Sequence, residues 1–398
     1  MSLAHGRTYL AIPGPSVVPD RVLNAMHRAS PNIYEGPLVD MVPGLIADLK
    51  VLAGTSGAGA IYIGNGHAAW EASLANVLAP GDKVLVPATG LFGLGWASVA
   101  ESLGAVPEVM DFGKAAPFDP EAVAQRLARD TGHEIRAVLA VHVDTSTSVR
   151  SDIAALRAAM DRVGHPALLM VDCIASFGCD RFEMDAWGAD VMVAASQKGL
   201  MCPPGLGLVF FNDKAAQARA RLARVSTYWD WTGRAAPEMF YQYFAGTAPV
   251  QMLYGLREAL DMIAEEGGAD AVWRRHARLA RAIWAAADAW GAGGDMRMNV
   301  ADPAHRSHAV TTLSLPAPGA TRLRQWCEQE AGVTLGIGLG MGDADDPKGD
   351  GVFRIGHMGH VNAHMVLGVL GVIEAGMDAL GIAHGPGALE AAARVIAG

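Results

Sequence analysis

The chain has 398 residues, of which 51% are hydrophobic and 18% charged, so it can build a large core and two domains are expected. Its formal net charge is −10 and its Lys and Arg residues form no cluster, which argues against a nucleic-acid-binding or anionic-membrane-binding surface. The four cysteines fit neither a disulfide framework nor a paired zinc site, and they indicate a reducing cytoplasm: Cys173, Cys179, Cys202 and Cys327.

Two stretches are candidates for an export signal or a membrane span, and neither has the expected features. The start, MSLAHGRTYLAIPGP, lacks the basic residues and the long apolar core of a signal peptide. The later stretch MVLGVLGVIEAGM is interrupted by Glu374, which predicts that it does not span a bilayer. We therefore expect a cytoplasmic protein.

Short apolar runs alternate with helical patterns from about residue 45 to 211, which is typical of a mostly parallel sheet with helices on both faces. One helix is predicted over 68–78, and another over 151–164 with Ser151 as its N-cap. The predicted strands are AIYIG (60–64), KVLVPA (83–88), AVLAVHV (137–143), ALLMVD (167–172), DVMVAAS (190–196) and GLVFF (207–211).

Beyond residue 213 the pattern changes to long helices rich in Ala and Arg, predicted over 253–267 and 271–291. A later section, SHAVTTLSLPAP, then a helix, then GVFRIGHMG, is typical of a smaller α+β domain. The sequence thus predicts an N-terminal segment (1–20), a large domain (21–265) and a small C-terminal domain (266–398).

Polar or aromatic residues follow five of the predicted strands. Ligands bind at the carboxyl ends of strands in open α/β sheets, so these residues are candidates for one site. They comprise residues 64–67 (GNGH), the TGLFG stretch with Phe92, residues 144–147 (DTST), Asp172, and residues 196–198 (SQK).

Lys198 stands where a buried strand ends. Desolvation there penalises the ammonium form, and a neutral amine can attack a carbonyl to form a Schiff base. A lone lysine is more often a surface residue in a turn. The functional interpretation therefore depends on the neighbours of Lys198.

Asp172 closes a very apolar strand, so its carboxylate needs a cationic or hydrogen-bonding partner. The protonated ring nitrogen of pyridoxal phosphate would be such a partner, while metal ligation or a structural cap are the alternatives. Arg354 in GVFRIGHMG is the arginine best suited to a substrate carboxylate, because its planar fork matches that group. It could equally form a structural ion pair.

Residues 64–67, between a strand and a helix, form an anion-binding turn, because exposed N–H groups and the helix dipole favour a phosphate. Read as G-x-G-x-x-A, the turn also imitates a dinucleotide fingerprint. A dinucleotide site requires an acidic residue after the second strand, where this chain has Thr89-Gly90-Leu91. Phe92 could stack on a planar ring, although a packing role is commoner.

Taken together, these segments resemble the class V aminotransferases of the fold-type I pyridoxal-phosphate superfamily, and most closely the serine/alanine:glyoxylate aminotransferases. The resemblance runs nearly end to end. It rests on IPGPSVVPDRVLNAM, GNGHAAWEASLANVLAPGDKVLV, HVDTSTSV, VDCIASFG, ASQKGLMCPPGL, GTAPV and VFRIGHMG, in that order.

The resemblance implies that Lys198 forms the Schiff base with the cofactor and that Asp172 binds the pyridine nitrogen. It implies that Arg354 binds the substrate carboxylate. The remaining implied cofactor contacts are Asn65, Gly66, His67 and Gln197 around the phosphate, Phe92 on the ring, Ser146 beside it, and Thr247 reaching in from a partner subunit of a homodimer.

The resemblance also implies a ping-pong transfer of the amino group of serine or alanine to glyoxylate or pyruvate. One departure is Phe244, where many relatives have a tyrosine; Tyr241 or Tyr243 could replace it. The alternatives are another pyridoxal-phosphate reaction, such as a lyase or a cysteine desulfurase, a nicotinamide-dependent oxidoreductase, or a binding protein without activity. A desulfurase would need a mobile thiolate, and Cys327 lies in a predicted helix.

Overall fold

A computed structural model describes residues 2–398. These residues form two sheets and thirteen α-helices. The strands are β1 (Tyr9–Ala11), β2 (Ala58–Gly64), β3 (Lys83–Ala88), β4 (Val106–Asp111), β5 (Ile135–Val141), β6 (Leu168–Asp172), β7 (Val191–Ala195), β8 (Gly205–Phe211), β9 (Arg297–Met298), β10 (Val310–Ser314), β11 (Val333–Ile337) and β12 (Val352–Gly356). The helices are α1 (Asp20–Met26), α2 (Pro37–Ala53), α3 (Gly66–Ala75), α4 (Leu91–Ser102), α5 (Pro120–Ala128), α6 (Ile153–Arg162), α7 (Asp213–Arg221), α8 (Trp231–Ala235), α9 (Val250–Glu266), α10 (Gly268–Ala292), α11 (Gly319–Ala331), α12 (Ala363–Leu380) and α13 (Ala388–Ala397).

The larger sheet has seven strands in the order β2-β8-β7-β6-β5-β3-β4. Only β8 runs antiparallel to its neighbours, and the other strands share one direction. Consecutive residues of β3 belong to different cores: Leu85 shares one with residues of α2, α5 and α6, whereas Val84 and Val86 share the other with residues of α3 and α4. Helices therefore cover both faces, which confirms the predicted α/β class.

The smaller sheet has the order β1-β11-β12-β10-β9, and its core includes α10 to α13. Its first strand comes from the N-terminal segment, since β1 pairs in parallel with β11. The division of the chain into domains at residues 20 and 265 stays a prediction. The second of these boundaries falls at the end of α9.

All six predicted strands exist, with ends within two residues of the prediction. The edge strand β4 was missed because its residues are mostly exposed and its sequence, VPEVMD, carries no buried apolar run. The predicted cap of α6 is wrong by one residue: Asp152 is the N-cap and accepts a hydrogen bond from Ala155 N at 2.8 Å, whereas Ser151 precedes it.

Helix α12 is long and apolar enough to span a membrane, judged by length and composition alone. The prediction that Glu374 excludes a span is therefore wrong on this criterion. One face of α12, including Val369 and Ile373, is buried in the core of the small sheet. Glu374 accepts a hydrogen bond from Trp290 Nε1 at 2.8 Å. These contacts are those of a core helix.

Candidate active site

The strands β2, β3, β5, β6 and β7 point in the same direction, so the residues that follow them meet at one edge of the large sheet. The structure brings Asp172, Lys198, Phe92 and Ser146 to this edge. The small sheet contributes Arg354 from β12. Asp172, Lys198, Phe92 and Ser146 follow strands that were predicted to end at one edge, and the structure has them there.

Asp172 is the last residue of β6 and is only 3% exposed. Its Oδ1 accepts a hydrogen bond from Ile174 N at 2.7 Å, and its Oδ2 accepts one from Trp70 Nε1 at 2.9 Å. Burial raises the pKa of Asp172 to about 7, although these two donors and the charge of Lys198 favour the carboxylate. The site thus holds a carboxylate that lacks a strong cationic partner of its own.

Trp70, on the first turns of α3, organises the aromatic side of the site. Its ring packs edge-on against His67 at 4.6 Å and against Phe92 at 6.2 Å between centroids, and it stacks on Trp96 at 6.1 Å. The indole N–H donates to Asp172 Oδ2 at 2.9 Å, while aromatic neighbours pack against the rest of the ring. Trp70 fixes the orientation of the Asp172 carboxylate.

Lys198 follows β7 and is 9% exposed. Its Nζ donates a short hydrogen bond to the carbonyl oxygen of Pro13. Burial, and next the positive charge of Arg354, lower the pKa of Lys198 to about 8, while the carboxylate of Asp172 acts in the opposite direction. A fraction of the Lys198 amine is therefore neutral, and so nucleophilic, near neutral pH.

A second buried carboxylate, Asp144, ties the loop after β5 to the start of α4. It accepts hydrogen bonds from Phe92 N and from Ser146 N, each at 2.9 Å, and from the Ser146 hydroxyl. The same hydroxyl accepts a hydrogen bond from Leu91 N at 3.1 Å. A side chain on Gly90 would lie 2.6 Å from the Asp144 carboxylate, so this close packing requires glycine.

The turn after β2 has the form of an anion-binding site. Asn65 is the N-cap of α3 and accepts hydrogen bonds from His67 N at 3.1 Å and Ala68 N at 3.3 Å. A side chain on Gly66 would approach Ile174 Cδ1 to 2.5 Å, so the helix start lies close to the residues that follow Asp172. Asn65 and His67 are exposed, and the dipole of α3 favours an anion at this point.

Gln197, just before Lys198, is partly exposed, but its Oε1 is buried and has no hydrogen-bond partner within residues 2–398. A buried amide oxygen without a partner is costly in free energy. Gln197 is therefore a polar side chain available to a ligand.

Arg354 lies in the middle of β12 and is 5% exposed. Its Nε donates to Ile337 O at 2.7 Å and its Nη1 donates to Thr145 O at 2.9 Å. Burial lowers the pKa of Arg354 to about 10, and the negative charge of Asp144 favours the charged form. Two carbonyl oxygens thus orient a guanidinium group that forms no ion pair among the described residues.

Thr247 is the predicted site residue that the structure does not join to the others: it is exposed, and no hydrogen bond links it to them in the described chain. Phe244 is fully buried and packs against Phe240 and Tyr243 in the core of the large sheet. Its side chain therefore serves packing and does not face a ligand. Tyr241 is 57% exposed and Tyr243 is half-buried.

Sequence reasoning missed three contributors: Trp70, Asp144 as a carboxylate that orders the site, and the main chain near Pro13. Trp70 lies in the helix predicted over 68–78, and nothing in the spacing indicates its bond to Asp172. Pro13 acts through its carbonyl oxygen, which no side-chain pattern reveals. The polar run at residues 144–147 was the available signal for Asp144.

Comparison with known proteins identifies the family. Residues 50–340 match the family model "Aminotransferase class-V". The chain is 37% identical over 397 residues to the serine–glyoxylate aminotransferase of Methylorubrum extorquens, with coverage of 98% of this chain and 95% of that protein. It is 35% identical over 380 residues to the L-aspartate–glyoxylate aminotransferase of Paracoccus denitrificans, with coverage of 93% and 91%.

A solved structure of an aminotransferase is also similar to this chain in its fold. The ureidoglycine–glyoxylate aminotransferase of Bacillus subtilis superposes with a TM-score of 0.87 at 26% identity, and the alignment covers 100% of both chains. The match extends over both sheets and therefore includes β7, β6 and β12, which carry the candidate residues. This chain belongs to the class V aminotransferase family.

Proposed function

We propose that the chain is a pyridoxal-phosphate-dependent aminotransferase that moves the amino group of serine or alanine to glyoxylate, or to pyruvate, by a ping-pong mechanism. The observation that carries the proposal is the pair of Lys198, with its pKa lowered to about 8, and Asp172, a fully buried carboxylate at the end of the neighbouring strand. The names of the three relatives described above support glyoxylate as the acceptor, because they share it and differ in the amino donor.

The residues at the sheet edge fit pyridoxal phosphate. The carboxylate of Asp172 forms no ion pair within the described residues, and a protonated pyridine nitrogen would supply the cation that it lacks. The start of α3 favours an anion at the phosphate end through its dipole, and the donor that Gln197 would offer there is its amide nitrogen. Phe92 and Trp70 provide aromatic surface for the ring.

When bound, the cofactor supplies an electron sink for the electrons released when a bond to the substrate α-carbon breaks. Lys198 would hold the cofactor, and its free amine would act as the general base that takes the proton from the substrate Cα. Asp172 would keep the ring nitrogen protonated, and Trp70 holds the carboxylate in place through its hydrogen bond. Arg354 binds the substrate carboxylate in each half of the reaction.

Steady-state kinetics with serine, alanine and aspartate as donors, and with glyoxylate and pyruvate as acceptors, test this proposal. Parallel double-reciprocal lines and product formation from serine or alanine with glyoxylate are expected. Intersecting lines would contradict the ping-pong mechanism, and a lack of turnover with every pair would contradict the function.

A homodimer with shared active sites is also part of the proposal. Large apolar side chains on the surface support it, because Tyr34, Met239 and Tyr241 are 87%, 60% and 57% exposed. The exposed position of Thr247 also suits a contact with a partner's cofactor. Sedimentation equilibrium should give twice the chain mass; a monomer at micromolar concentration would contradict this part.

A reducing, cytoplasmic location completes the proposal. All four cysteines are buried and free of disulfide bonds, as expected in such a compartment. Cell fractionation with the native protein tests it, and recovery from an oxidising compartment would contradict it.

Replacing Arg354 with alanine is expected to raise KM for both the amino acid and the oxo acid and to lower kcat/KM about a hundredfold, because two charge-assisted hydrogen bonds to the carboxylate are lost. Arg354→Lys should recover only part of this loss, since an ammonium cannot form the bidentate pair. The control is Arg322→Ala, on the exposed face of α11. Unchanged KM values would remove Arg354 from carboxylate binding.

Replacing Cys327 with serine is expected to leave kcat for transamination within about twofold of the unmodified enzyme. Cys327 is fully buried in α11, burial raises its pKa to about 12, and its Sγ donates a weak hydrogen bond to Val372 O at 3.9 Å. Such a thiol is neither ionised nor mobile, as a desulfurase would require. Release of sulfide from cysteine, abolished in Cys327→Ser, would revive the desulfurase alternative.

A further inference from the structure

Residues 12–16, called here the 12–16 segment, connect the small sheet to Lys198. The segment follows β1 directly, and a side chain on Gly336 of β11 would come within 2.6 Å of Pro13 Cδ. A side chain on Gly356 of β12 would collide with the carbonyl of Ile12. These close approaches fix the 12–16 segment against the strand that carries Arg354.

Ser16 binds the main chain on both sides of the Lys198 side chain. Its N–H donates to Gln197 O at 2.9 Å, and its hydroxyl donates to Lys198 O at 2.7 Å. Ser16 is 6% exposed, so water cannot readily replace these bonds. The backbone position of Lys198 therefore depends on Ser16.

Gly14 provides the space that the Lys198 side chain occupies. A Cβ at this position would lie 2.6 Å from Cδ and 2.7 Å from Cε of Lys198, and it would also collide with Nζ. Gly14 has a φ of +90°, which other residues rarely adopt. Both the space and the backbone conformation therefore require glycine.

The end of this space is closed by the Pro13 carbonyl, which accepts the hydrogen bond from Lys198 Nζ. A carbonyl oxygen can accept from an ammonium group and equally from the N–H of a neutral amine. It can hold the amine in one position through both protonation states. A general base that removes a proton from carbon needs such a fixed position.

We propose that the 12–16 segment positions Lys198 for catalysis: Ser16 fixes its main chain, Gly14 leaves room for its side chain, and the Pro13 carbonyl holds its amine whenever the amine is not bound to the cofactor. This inference rests on the proposed function. It adds positioning residues to the site, none of which has to touch the substrate.

The test compares Ser16→Ala with Ser73→Ala. Ser73 is also buried, and its hydroxyl also donates to a main-chain carbonyl, that of Trp70, at 2.8 Å. Ser16→Ala should lower kcat about tenfold, the effect of losing one positioning hydrogen bond, with the Kd for pyridoxal phosphate changed less than about threefold. Ser73→Ala should leave both values near those of the unmodified enzyme.

A second readout uses the cofactor-free full-length protein. Lys198 is acetylated over a range of pH, and its peptide is quantified by mass spectrometry. Because burial lowers the pKa of Lys198 to about 8, its amine is expected to become reactive as the pH rises through that value in the unmodified chain. In Ser16→Ala, water gains access to the amine, so the labelling rate should rise and the midpoint should move up by about half a pH unit or more.

Gly14→Ala should have a larger effect, about a hundredfold on kcat, because its side chain displaces the lysine. Where Gly14→Ala fails to fold, as judged by circular dichroism, Ser16→Ala decides the question. The proposal is overturned if the labelling midpoint of Ser16→Ala equals that of Ser73→Ala, or if the unmodified enzyme is active and the two variants have equal kcat values. Because labelling needs neither cofactor nor substrate, it tests the 12–16 segment even if the unmodified chain shows no transamination, a result that would contradict only the proposed function.

Discussion

Replacing Lys198 with alanine is expected to abolish transamination, with kcat reduced by at least about 10⁴-fold, because one side chain serves as covalent anchor and as general base. Within residues 2–398, the hydrogen bonds that Asp172 accepts come from Trp70 Nε1 and Ile174 N, and no lysine or histidine side chain forms an ion pair with it. The measurement is single-turnover formation of the oxo acid from serine, with cofactor in excess.

The matched control for this experiment is Lys83→Ala. Lys83 is an exposed lysine of the same sheet that pairs with Glu134, at the end of β3 away from the site. Its loss should leave kcat unchanged, since exposed ion pairs contribute little. A Lys198→Ala enzyme that turns over normally would contradict the mechanism, and added primary amines should restore part of the activity if only the base is missing.

Replacing Asp172 with asparagine is expected to lower kcat about a thousandfold, equivalent to roughly 4 kcal/mol in activation free energy, while the protein still binds pyridoxal phosphate. An amide of the same shape can keep only one of the bonds from Trp70 and Ile174, because its nitrogen cannot accept, and it carries no charge to hold the ring nitrogen protonated. The measurement combines kcat with cofactor titration. An unchanged kcat would remove the electron-sink role from Asp172.

Two further variants show whether the effect belongs to this carboxylate. Trp70→Phe removes one donor from Asp172, which should raise the pKa of Asp172 further and reduce kcat by a smaller factor than Asp172→Asn. Asp130→Asn alters a buried carboxylate bonded to Ile135 N at 2.8 Å, at the opposite edge of the sheet. It should affect stability and leave kcat near normal.

The large sheet could be predicted from the sequence because its central strands are short, continuous apolar runs, such as VMVAA in β7, and parallel strands are buried on both faces. The position of Lys198 and Asp172 followed from the rule that polar residues after parallel strands meet at one edge. Arg354 was assigned to the same site by the family resemblance, because no local sequence pattern gives the distance between the two sheets.

What could not be predicted depends on contacts between segments distant in the chain. Trp70 and Asp172 are 102 residues apart, and Lys198 and Pro13 are 185 residues apart. The helix pattern explains why Trp70 is buried but not which polar group its N–H meets. The exposed edge strand β4 was missed for the opposite reason: it has too little burial to leave an apolar pattern.

The visible absorption spectrum of the purified protein with pyridoxal phosphate tests the central claim most directly. We predict a yellow band that requires Lys198, bleaches on addition of serine or alanine, and returns on addition of glyoxylate. A band that never forms would contradict the assignment of Lys198, and a band that forms but responds to neither amino acid would contradict the proposed amino donors.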